Sequence, residues 1–341
     1  MALPPAQFGP RIPVGVIGCG RMGRLHARVY SQMPNVQLVG VFDEVPESAR
    51  TCATDYQCEA FDSLDQLIGK VQAVTVAVPT IHHVRVAEKL LPHRIACLIE
   101  KPLAESSTQA KRIVDLAREH KTPVMVGHIE RFNPAVRALR EMNITPQFIE
   151  VTRISPLTFR SIDVGVVLDM MIHDIDIILR LANSKVQSID SVGVSVLDTA
   201  EDICNARVRF ENGCVANFTA SRLAMKTERK LRVFSAEAYV SLDYQKKYGI
   251  FVKRGQNLEA IRDVVRGIRS GEIEDLSEVN YAELADVQEL VVDDTEPLRA
   301  ELDSFIGSIA SGTPLEVPAE DGLAAVELAE RIVASIPKRV L

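Results

Sequence analysis

The chain has 341 residues, 47% of them hydrophobic and 25% charged, which is the composition of a globular protein long enough for two domains. Its formal net charge of −7 argues against a nucleic-acid partner, because phosphate backbones are bound by basic surfaces. No apolar run reaches the roughly 18 residues of a membrane helix, and residues 1–13 lack the apolar core of a signal peptide, so we expect neither a membrane span nor export.

Short apolar segments alternate with helical periods in the first third of the chain. Strands are predicted at 12–18, 36–43, 73–79, 96–102 and 122–128. Helices are predicted from the first strand to about residue 33, at 82–91 and at 106–120. Nearly continuous apolar strands separated by helices indicate a parallel sheet covered on both faces. We therefore predict a doubly wound Rossmann α/β domain over residues 1–126.

The pattern changes near residue 127, after which strands follow one another with short turns. Helices are predicted after Pro134, within 154–181, near 296–311 and near 319–336, and strands at 147–155, through 186–243 and at 248–254. Asn212-Gly213 is typical of a hairpin turn. Residues 127–341 are therefore predicted to form an α+β domain with a large, mostly antiparallel sheet and helices on one face. Segment 255–282 receives no assignment.

A glycine-rich motif joins the first predicted strand to the first predicted helix. Its residues are Gly18, Cys19, Gly20, Arg21, Met22 and Gly23, which match G-x-G-x-x-G. In this context the first glycine permits a tight turn, the second lets a pyrophosphate approach the backbone, and the third lets the helix pack against the strand. The helix amino terminus offers N–H groups to the phosphates. The motif predicts a dinucleotide site, and a purely structural glycine turn is the alternative.

An acidic residue ends the second predicted strand. Asp43 lies 20 residues beyond Gly23, where a carboxylate binds the adenosine ribose hydroxyls of NAD. Glu44 follows it, and two acids would repel the 2′-phosphate of NADP, so NAD is the predicted cofactor. At the end of the next long strand, on the edge that a dinucleotide would cross, lie Val78, Pro79 and Thr80.

Residues 154–181 form a largely apolar predicted helix that nevertheless carries ionisable groups. At about 100° per residue, four of them fall within roughly 60° of one another: Asp169, His173, Asp176 and Arg180. This stripe has three interpretations: exposed i,i+4 ion pairs, a buried carboxylate–histidine pair that fixes packing, or a catalytic base. No metal site is predicted, because D-x-x-x-H supplies only two ligands and the six cysteines show no metal-ligand spacing.

The tripeptide Glu100-Lys101-Pro102 follows the fourth predicted strand, again at the carboxyl edge of the sheet. A lysine at this place can hydrogen-bond a substrate oxygen and stabilise developing alkoxide charge. Taken alone, such a tripeptide is usually a solvated loop. Together with His173 and Asp169, it favours a site that removes the proton of an alcohol.

These motifs together resemble the glucose–fructose oxidoreductase/inositol dehydrogenase (Gfo/Idh/MocA) family over nearly the whole chain. The resemblance rests on GVIGCGRMGRLHARVY, VPTIHHVRVA with His83, EKPLAES, GHIERFNPA, DMMIHDIDIIL and the closing stretch from residue 296. It implies hydride transfer between NAD(P) and a sugar or polyol, with Lys101, Asp169 and His173 at the reacting carbon. It also implies that His83, Glu100 and Lys101 lie along the cofactor.

Two stretches, 127–134 and 153–176, are similar to the UDP-N-acetylglucosamine 3-dehydrogenase branch of this family. That branch oxidises the 3-hydroxyl of its sugar, and an aminotransferase then uses the ketone. The resemblance implies a substrate-binding set that comprises Arg131, Asn133, Arg153, Arg160, Asp169, His173 and Asp176. The three arginines would supply positive charge for a UDP diphosphate, although structural salt bridges explain each of them equally well.

The leading hypothesis is an NAD-dependent dehydrogenase of a UDP-amino sugar. A dehydrogenase of a free sugar or polyol such as inositol is the close alternative, and a non-catalytic NAD-binding sensor is the third. A sheet with one bare face further predicts a homodimer or a dimer-based homotetramer. Cysteines without a disulfide spacing are typical of a cytoplasmic protein.

Overall fold

The structure, a computed structural model, describes residues 11–158, 164–253, 258–272, 286–290 and 293–337. The chain divides into two compact units. The first comprises Met1–Phe132 and Thr295–Arg331, and the second comprises Asn133–Asp294 and Ile332–Leu341. Residues 295–331, predicted from the sequence to belong to the C-terminal domain, therefore belong to the first unit.

A six-stranded parallel sheet forms the centre of the first unit. Its strands are β1 (Ile12–Ile17), β2 (Val36–Phe42), β3 (Glu59–Phe61), β4 (Ala73–Val76), β5 (Ala96–Glu100) and β6 (Val124–Gly127). Their order is β3-β2-β1-β4-β5-β6, and every neighbouring pair is parallel. This is the doubly wound order of a dinucleotide-binding fold, which confirms the predicted Rossmann architecture. The sequence did not reveal β3, because three residues are too few to show a period.

Helices connect the parallel strands of this sheet. They are α1 (Arg21–Ser31), α2 (Pro46–Tyr56), α3 (His83–Leu90) and α4 (Ser107–His120). The strands they cover are apolar on both sides, and all residues of β4 and β6 are buried. Burial on both faces explains why these strands appear in the sequence as continuous apolar runs rather than as an alternation.

An eight-stranded sheet forms the centre of the second unit. Its strands are β7 (Phe148–Ile154), β8 (Val186–Val194), β9 (Ile203–Phe210), β10 (Val215–Ser221), β11 (Glu228–Phe234), β12 (Ala238–Asp243), β13 (Tyr248–Lys253) and β14 (Asp286–Glu289). Their order is β14-β13-β12-β11-β7-β10-β9-β8. The β7–β10 pair is parallel and the other described pairs are antiparallel, so the prediction of a large, mostly antiparallel sheet is confirmed.

The β9–β10 hairpin forms at the predicted turn. Gly213 has a φ of +88°, a conformation that L side chains rarely adopt. The Asn212 side chain accepts a hydrogen bond from the backbone N–H of Cys214 at 3.0 Å, which closes the turn. The Asn-Gly pair therefore fixes the register of the two strands.

The two faces of this sheet differ in polarity along β9. One face is apolar and buried, with Cys204, Ala206, Val208 and Phe210. The other face carries exposed polar residues, with Asn205, Arg207 and Arg209. A self-association surface on this face would therefore bury polar as well as apolar groups, and the predicted oligomer remains a prediction.

Helical elements of the second unit complete its fold. They are α5 (Pro134–Glu141), a π-helical turn (Val167–Met171), α6 (Ile172–Ala182) and α7 (Leu258–Ser270). α6 buries most of its length, including Ile172, Ile175 and Ile178. The helix ends at Ala182, because the C-cap residue Asn183 has a φ of 43°, which breaks the helical geometry. α7 lies within the segment for which the sequence gave no assignment.

Two helices near the carboxyl end follow, α8 (Pro297–Ser311) and α9 (Ala319–Ser335). The segment between them extends the edge of the first sheet, because the backbone N–H of Val126 donates to the Val317 carbonyl at 2.9 Å. A Cβ on Gly322 would lie 2.6 Å from Val126 Cγ2, so the start of α9 packs closely on β6. These contacts explain why residues 295–331 join the first unit.

The described residues also show the length and hydropathy of the helices and the state of the cysteines. None of the described helices combines the length and hydropathy that crossing a bilayer requires. The six cysteines are free thiols, and five of them are buried. Burial raises the pKa of Cys214 to about 11 and that of Cys204 to about 12, so these thiols remain protonated at neutral pH.

Candidate active site

The glycine loop between β1 and α1 has the geometry of a pyrophosphate cradle. Gly18 has a φ of +91°, and a Cβ there would lie 2.6 Å from the Ala77 carbonyl oxygen. A Cβ on Gly23 would lie 1.7 Å from the Gly18 carbonyl oxygen, so α1 packs directly on the loop. A Cβ on Gly20 would meet no described atom within 4 Å. The space above Gly20 is therefore open to a ligand that approaches the backbone, which fits a dinucleotide.

The amino terminus of α1 begins directly after this loop. Gly20 is the N-cap residue and supplies no side-chain cap, so the first N–H groups of the helix remain available to an anion. Arg21 is exposed and Met22 is half-buried at the start of the helix. Arg24 forms an ion pair with Asp55 at the surface. Arg21 therefore lies exposed at the first position of α1.

Asp43 lies at the end of β2, beside the glycine loop. Its Oδ2 accepts a hydrogen bond from the Cys19 backbone N–H at 2.6 Å, and its Oδ1 accepts from the Val45 N–H at 2.8 Å. The half-exposed carboxylate keeps further lone pairs for ribose hydroxyls. Glu44 forms an exposed ion pair with Arg85. This ion pair compensates the charge of Glu44, so the prediction that acidic residues repel a 2′-phosphate rests mainly on Asp43.

The loop after β4 offers half-exposed Val78 and Thr80 and exposed Pro79. His83 lies behind this loop and is 1% exposed. Its Nε2 lies 3.1 Å from the Val78 carbonyl oxygen, and its Nδ1 lies 3.1 Å from that of Pro102. Burial lowers the pKa of His83 and favours the neutral ring. His83 therefore lies buried between these two loops, and its predicted place along the cofactor stays a prediction.

Glu100 and Lys101 diverge at the end of β5. The Glu100 side chain is 11% exposed, and its Oε1 lies 2.9 Å from Nε2 of the buried His26. Lys101 is half-exposed and is followed by buried Pro102. The Glu100 carboxylate is thus engaged with His26 inside the unit, and the place along the cofactor that the resemblance implied for it stays a prediction. Lys101 keeps the predicted place at the carboxyl edge of the sheet.

A π-helical turn, Val167–Met171, carries Asp169 into α6. Two groups of Glu201 hold its start: the carbonyl oxygen accepts from the Val166 N–H at 2.8 Å, and Oε1 accepts from the Val167 N–H at 3.1 Å. A Cβ on Gly165 would lie 2.1 Å from Glu201 Oε1. Gly165 is therefore required for this contact, and π-helical turns occur frequently at functional sites.

The predicted ionisable stripe of this helix is divided by burial. Asp169 and His173 are half-exposed, Asp176 is 1% exposed, and Arg180 is exposed. The four residues are therefore not all exposed, as surface ion pairs would be. The Asp169–His173 pair is not fully buried either, as a pair that only fixes packing would be. Asp169 and His173 are the two members of the stripe that can meet both protein and ligand.

Arg131 and Asn133 have structural partners. Arg131 is 6% exposed, and its Nη1 donates to Asp321 Oδ2 at 2.7 Å and to the Glu316 carbonyl oxygen at 3.1 Å. Asn133 is the N-cap of α5 and its Oδ1 accepts from the Ala135 N–H at 3.1 Å. These contacts commit the Arg131 guanidinium and the Asn133 carbonyl to the protein itself.

Arg153 is also engaged within the protein. Its Nε and Nη2 donate to the two oxygens of Asp174 at 2.7 and 2.9 Å, and both side chains are nearly fully buried. This arrangement is the structural salt bridge that the sequence offered as the alternative to phosphate binding. Arg160, the third predicted arginine, lies outside the described residues.

Four further charged residues shape these regions and were not predicted: His26, Asp174, Glu201 and Glu301. The signal for Asp174 was its place between Ile172 and Ile175 in an apolar helix, where a buried acid requires a cation. His26 and Glu301 each lie on a buried helix face, but nothing in the sequence pairs them with Glu100. Glu201 lies in a turn between strands and gives no pattern.

Comparison with known families identifies both parts of the chain. Residues 12–128 match the model described as "Oxidoreductase family, NAD-binding Rossmann fold", and residues 155–241 match the GFO/IDH/MocA C-terminal domain. The match to the first model agrees with the cradle geometry of the glycine loop. The first unit is therefore an NAD-binding domain.

Individual relatives give the same assignment. The chain is 38% identical to UDP-N-acetylglucosamine 3-dehydrogenase of Acidithiobacillus ferrooxidans over 67% of this chain and 73% of that protein. A solved structure of that enzyme superposes with a TM-score of 0.84 and covers 96% of this chain and 98% of the other, at 30% identity. Inositol 2-dehydrogenase of Rhizobium meliloti is 24% identical over 95% of this chain and 97% of that protein. The chain belongs to the Gfo/Idh/MocA family of NAD-binding oxidoreductases.

Proposed function

We propose that this protein oxidises the 3-hydroxyl of UDP-N-acetylglucosamine to the 3-keto sugar with NAD as the acceptor. The observation that carries the proposal is the 38% identity to an enzyme of that name over 67% of the chain. The half-exposed pair Asp169 and His173, on an otherwise buried helix, supports an acid–base reaction. The ketone would then be a substrate for an aminotransferase.

His173 is the proposed general base. A half-exposed imidazole can reach a sugar hydroxyl and accept its proton at neutral pH. Asp169 lies four residues earlier, across the π-helical turn, and its carboxylate would stabilise the imidazolium formed when His173 takes the proton. Held by Glu201 at its start, this turn gives Asp169 a defined position.

Lys101 is the proposed partner of the reacting oxygen. Its ammonium group would donate a hydrogen bond to the oxygen as negative charge develops on it. Bound NAD supplies the hydride acceptor. Gly18, Gly20 and Gly23 would hold the pyrophosphate, and Asp43 would accept hydrogen bonds from the adenosine ribose.

Recognition of the diphosphate is assigned to an arginine that is not held in a described ion pair. Arg131 and Arg153 are engaged in internal ion pairs. Arg160 therefore remains the arginine for which the sequence predicts a phosphate contact. The buried state of the other two favours a second candidate function, oxidation of a free sugar or polyol, which agrees with the similarity to inositol 2-dehydrogenase.

The experiment that tests the proposal is a substrate panel scored by NADH absorbance. UDP-N-acetylglucosamine, UDP-glucose, free N-acetylglucosamine and myo-inositol are compared at equal concentration with saturating NAD. We expect turnover with UDP-N-acetylglucosamine and a product that has lost two hydrogens at C3, identified by mass spectrometry and NMR. Arg160→Ala should raise KM for the UDP sugar, and Arg207→Ala, an exposed arginine on β9, is the matched control. Faster oxidation of myo-inositol than of the UDP sugar would favour the second candidate.

A further inference from the structure

Three ionisable side chains meet inside the first unit, away from the glycine loop. They are His26 on α1, Glu100 at the end of β5 and Glu301 on α8. His26 and Glu301 are 0% exposed and Glu100 is 9% exposed. The nearest ring nitrogen and carboxylate oxygens of the three lie within 4.8 Å of one another. Burying so many charges is costly, so the group requires an explanation.

A hydrogen-bonded chain leads into this cluster. Tyr30 Oη lies 3.0 Å from Thr75 Oγ1, and Thr75 Oγ1 lies 3.2 Å from His26 Nδ1. His26 Nε2 lies 2.9 Å from Glu100 Oε1. In the tautomer that carries its proton on Nε2, His26 donates to Glu100 and its Nδ1 accepts from the Thr75 hydroxyl. One direction of donation, from Tyr30 to Glu100, then satisfies each of the groups in the chain.

Glu301 stands outside this chain of donors. Within the described residues, neither of its carboxylate oxygens has a hydrogen-bond partner, although both are buried. Burial, and then the nearby charge of Glu100, raise its pKa well above the usual value. This shift favours the protonated form of Glu301, and in that form the carboxyl group is a hydrogen-bond donor beside the Glu100 carboxylate, the two lying within 4.8 Å.

The second oxygen of Glu100 is confined from the other side. Glu100 pairs with Gly127 of β6, and a Cβ on Gly127 would lie 3.1 Å from Glu100 Oε2 and 3.1 Å from its carboxyl carbon. Any larger residue there would press on the carboxylate. The Glu100 side chain is thus confined by His26 and by the limited space at Gly127, and Glu301 lies beside it.

We propose that Glu301 is a positioning residue for Lys101: with His26 it fixes the Glu100 carboxylate, and Glu100 fixes the backbone from which the Lys101 side chain begins. The inference rests on the proposed role of Lys101 at the reacting oxygen. Glu301 is assigned no contact with substrate or cofactor.

The residues on both sides of Lys101 are held by contacts with buried histidines, so the position of Lys101 depends on both contacts. Before it, the Glu100 carboxylate is held by His26. After it, the carbonyl oxygens of Pro102 and Leu103 lie 3.1 and 3.2 Å from His83 Nδ1. Lys101 itself is half-exposed. Adjacent Cα atoms are about 3.8 Å apart, so a displaced Glu100 moves the start of the lysine side chain directly.

Four variants test this arrangement. Glu301→Ala removes the side chain, and Glu301→Gln keeps its shape as a neutral hydrogen-bond donor. Gly127→Ala presses on the Glu100 carboxylate without changing any charge. Leu302→Ala is the control, because Leu302 is 0% exposed on the same helix but is apolar. The change in kcat of Leu302→Ala reports the effect of a cavity beside α8 that involves no ionisable group.

The expected result is a loss of kcat by about tenfold to hundredfold in Glu301→Ala and Gly127→Ala, the scale of a small misplacement of a reacting group. KM and NAD affinity should stay near wild type. Glu301→Gln and Leu302→Ala should retain kcat within about twofold. A Glu301→Gln variant as impaired as Glu301→Ala, or an equal kcat loss in Leu302→Ala, would overturn the inference.

A second measurement does not depend on turnover. The folded protein is treated with a limiting amount of acetylating reagent at several pH values. The rate of Lys101 acetylation is then measured by mass spectrometry. We expect a changed Lys101 rate in Glu301→Ala and Gly127→Ala and an unchanged rate in Glu301→Gln. Equal rates in all variants would overturn the inference even if the UDP sugar is oxidised. If no UDP sugar is oxidised but the rates differ as expected, the proposed substrate fails and the positioning of Lys101 stands.

Metal analysis gives one more decisive outcome. A ring nitrogen and two carboxylates within 4.8 Å are also a donor set for a divalent cation. The protein, purified without chelator, is analysed for bound metals and titrated with zinc alone by calorimetry. We expect no stoichiometric metal and no difference in zinc binding between wild type and Glu301→Gln. Stoichiometric metal that disappears in Glu301→Gln would overturn the positioning role.

Discussion

Arg153 of β7 and Asp174 of α6 form a bidentate ion pair inside the second unit, with N–O distances of 2.7 and 2.9 Å. Their side chains are 4% and 3% exposed, so the pair is desolvated on all sides. It fixes α6, the helix that carries His173, to the central strand of the sheet. The same contact occupies two guanidinium nitrogens of Arg153, Nε and Nη2.

The first prediction follows from this pair. Arg153→Leu leaves the Asp174 carboxylate buried without its cation, and such a loss typically costs about 3–5 kcal/mol. Urea unfolding followed by circular dichroism should show this loss. Arg207→Ala, at an exposed position of β9, should change stability by no more than about 0.5 kcal/mol. A loss below about 1 kcal/mol in Arg153→Leu would mean that Asp174 finds another partner.

The second prediction concerns the π-helical turn. In Gly165→Ala the new methyl group occupies the place of the Glu201 carboxylate, 2.1 Å from Oε1. The carboxylate must move and lose its hydrogen bond from the Val167 N–H, two residues before Asp169. We expect kcat to fall by about tenfold or more with unchanged NAD affinity, as measured by fluorescence titration.

A matched glycine variant controls for the added methyl group. A Cβ on Gly307, within α8, would meet no described atom within 4 Å. Gly307→Ala should therefore raise stability by about 0.5–1 kcal/mol and leave kcat unchanged. If Gly165→Ala behaved like Gly307→Ala, the turn would not depend on Glu201.

The third prediction concerns cofactor choice. Asp43→Ala removes the proposed ribose acceptor, and charge-assisted hydrogen bonds of this kind contribute about 1.5–3 kcal/mol, or roughly tenfold to hundredfold in Kd for NAD. Adding Glu44→Arg should raise the use of NADP. Glu47→Ala, which breaks an exposed pair with Arg50 on α2, is the control. Kinetics with both cofactors decide the matter, and a tenfold preference of the wild type for NADP would contradict the assignment of Asp43.

The fourth prediction is a pH dependence of stability. The pKa of Glu301 is raised in the folded state by burial and then by Glu100, so above about pH 4.5 the unfolded chain releases a proton that the folded protein keeps. The contribution of Glu301 is fully present below that pH and declines as the pH rises toward its folded pKa. The decline approaches about 1.4 kcal/mol per pH unit.

Glu301→Gln has no proton to release and should not show this decline. The difference in unfolding free energy between variant and wild type removes the contributions that the two proteins share and so reports on Glu301. We expect this difference to grow in favour of the variant as the pH rises above about 4.5. Chemical denaturation at several pH values measures it. A difference that is constant with pH would show that Glu301 is ionised in the folded state.

The sequence predicts those features that depend on local pattern. Apolar runs between helical periods gave the parallel sheet, and Asn212-Gly213 gave the β9–β10 hairpin, because both signals lie within a few residues. The G-x-G-x-x-G motif gave the glycine loop for the same reason. Each glycine of that loop has a distinct geometric task in the structure.

Contacts between distant parts of the chain were not predictable in this way. Residues 295–331 pack with the first unit through contacts such as that of Val126 with Val317, which no local period encodes. The partner of Arg153 could not be chosen from the sequence, since a buried acid and a bound phosphate satisfy an arginine equally well. The π-helical turn at Asp169 likewise arises from Glu201, 34 residues beyond Val167.

The last prediction tests the proposed base. His173 is half-exposed on α6, an element whose other ionisable residues are buried, paired or exposed at its end. If His173 accepts the hydroxyl proton, His173→Ala should lower kcat by about two to four orders of magnitude, the usual cost of losing a positioned base. Affinity for NAD should remain near wild type, because the glycine loop and Asp43 are untouched.

Lys101→Ala should show a comparable loss, and the double variant should lose less than the sum of the two effects, since both act on one proton transfer. Single-turnover kinetics with saturating UDP-N-acetylglucosamine measure the chemical step, and Arg180→Ala, an exposed change on the same helix, is the control. A His173→Ala variant that kept more than about a tenth of the wild-type rate would assign the base to another residue.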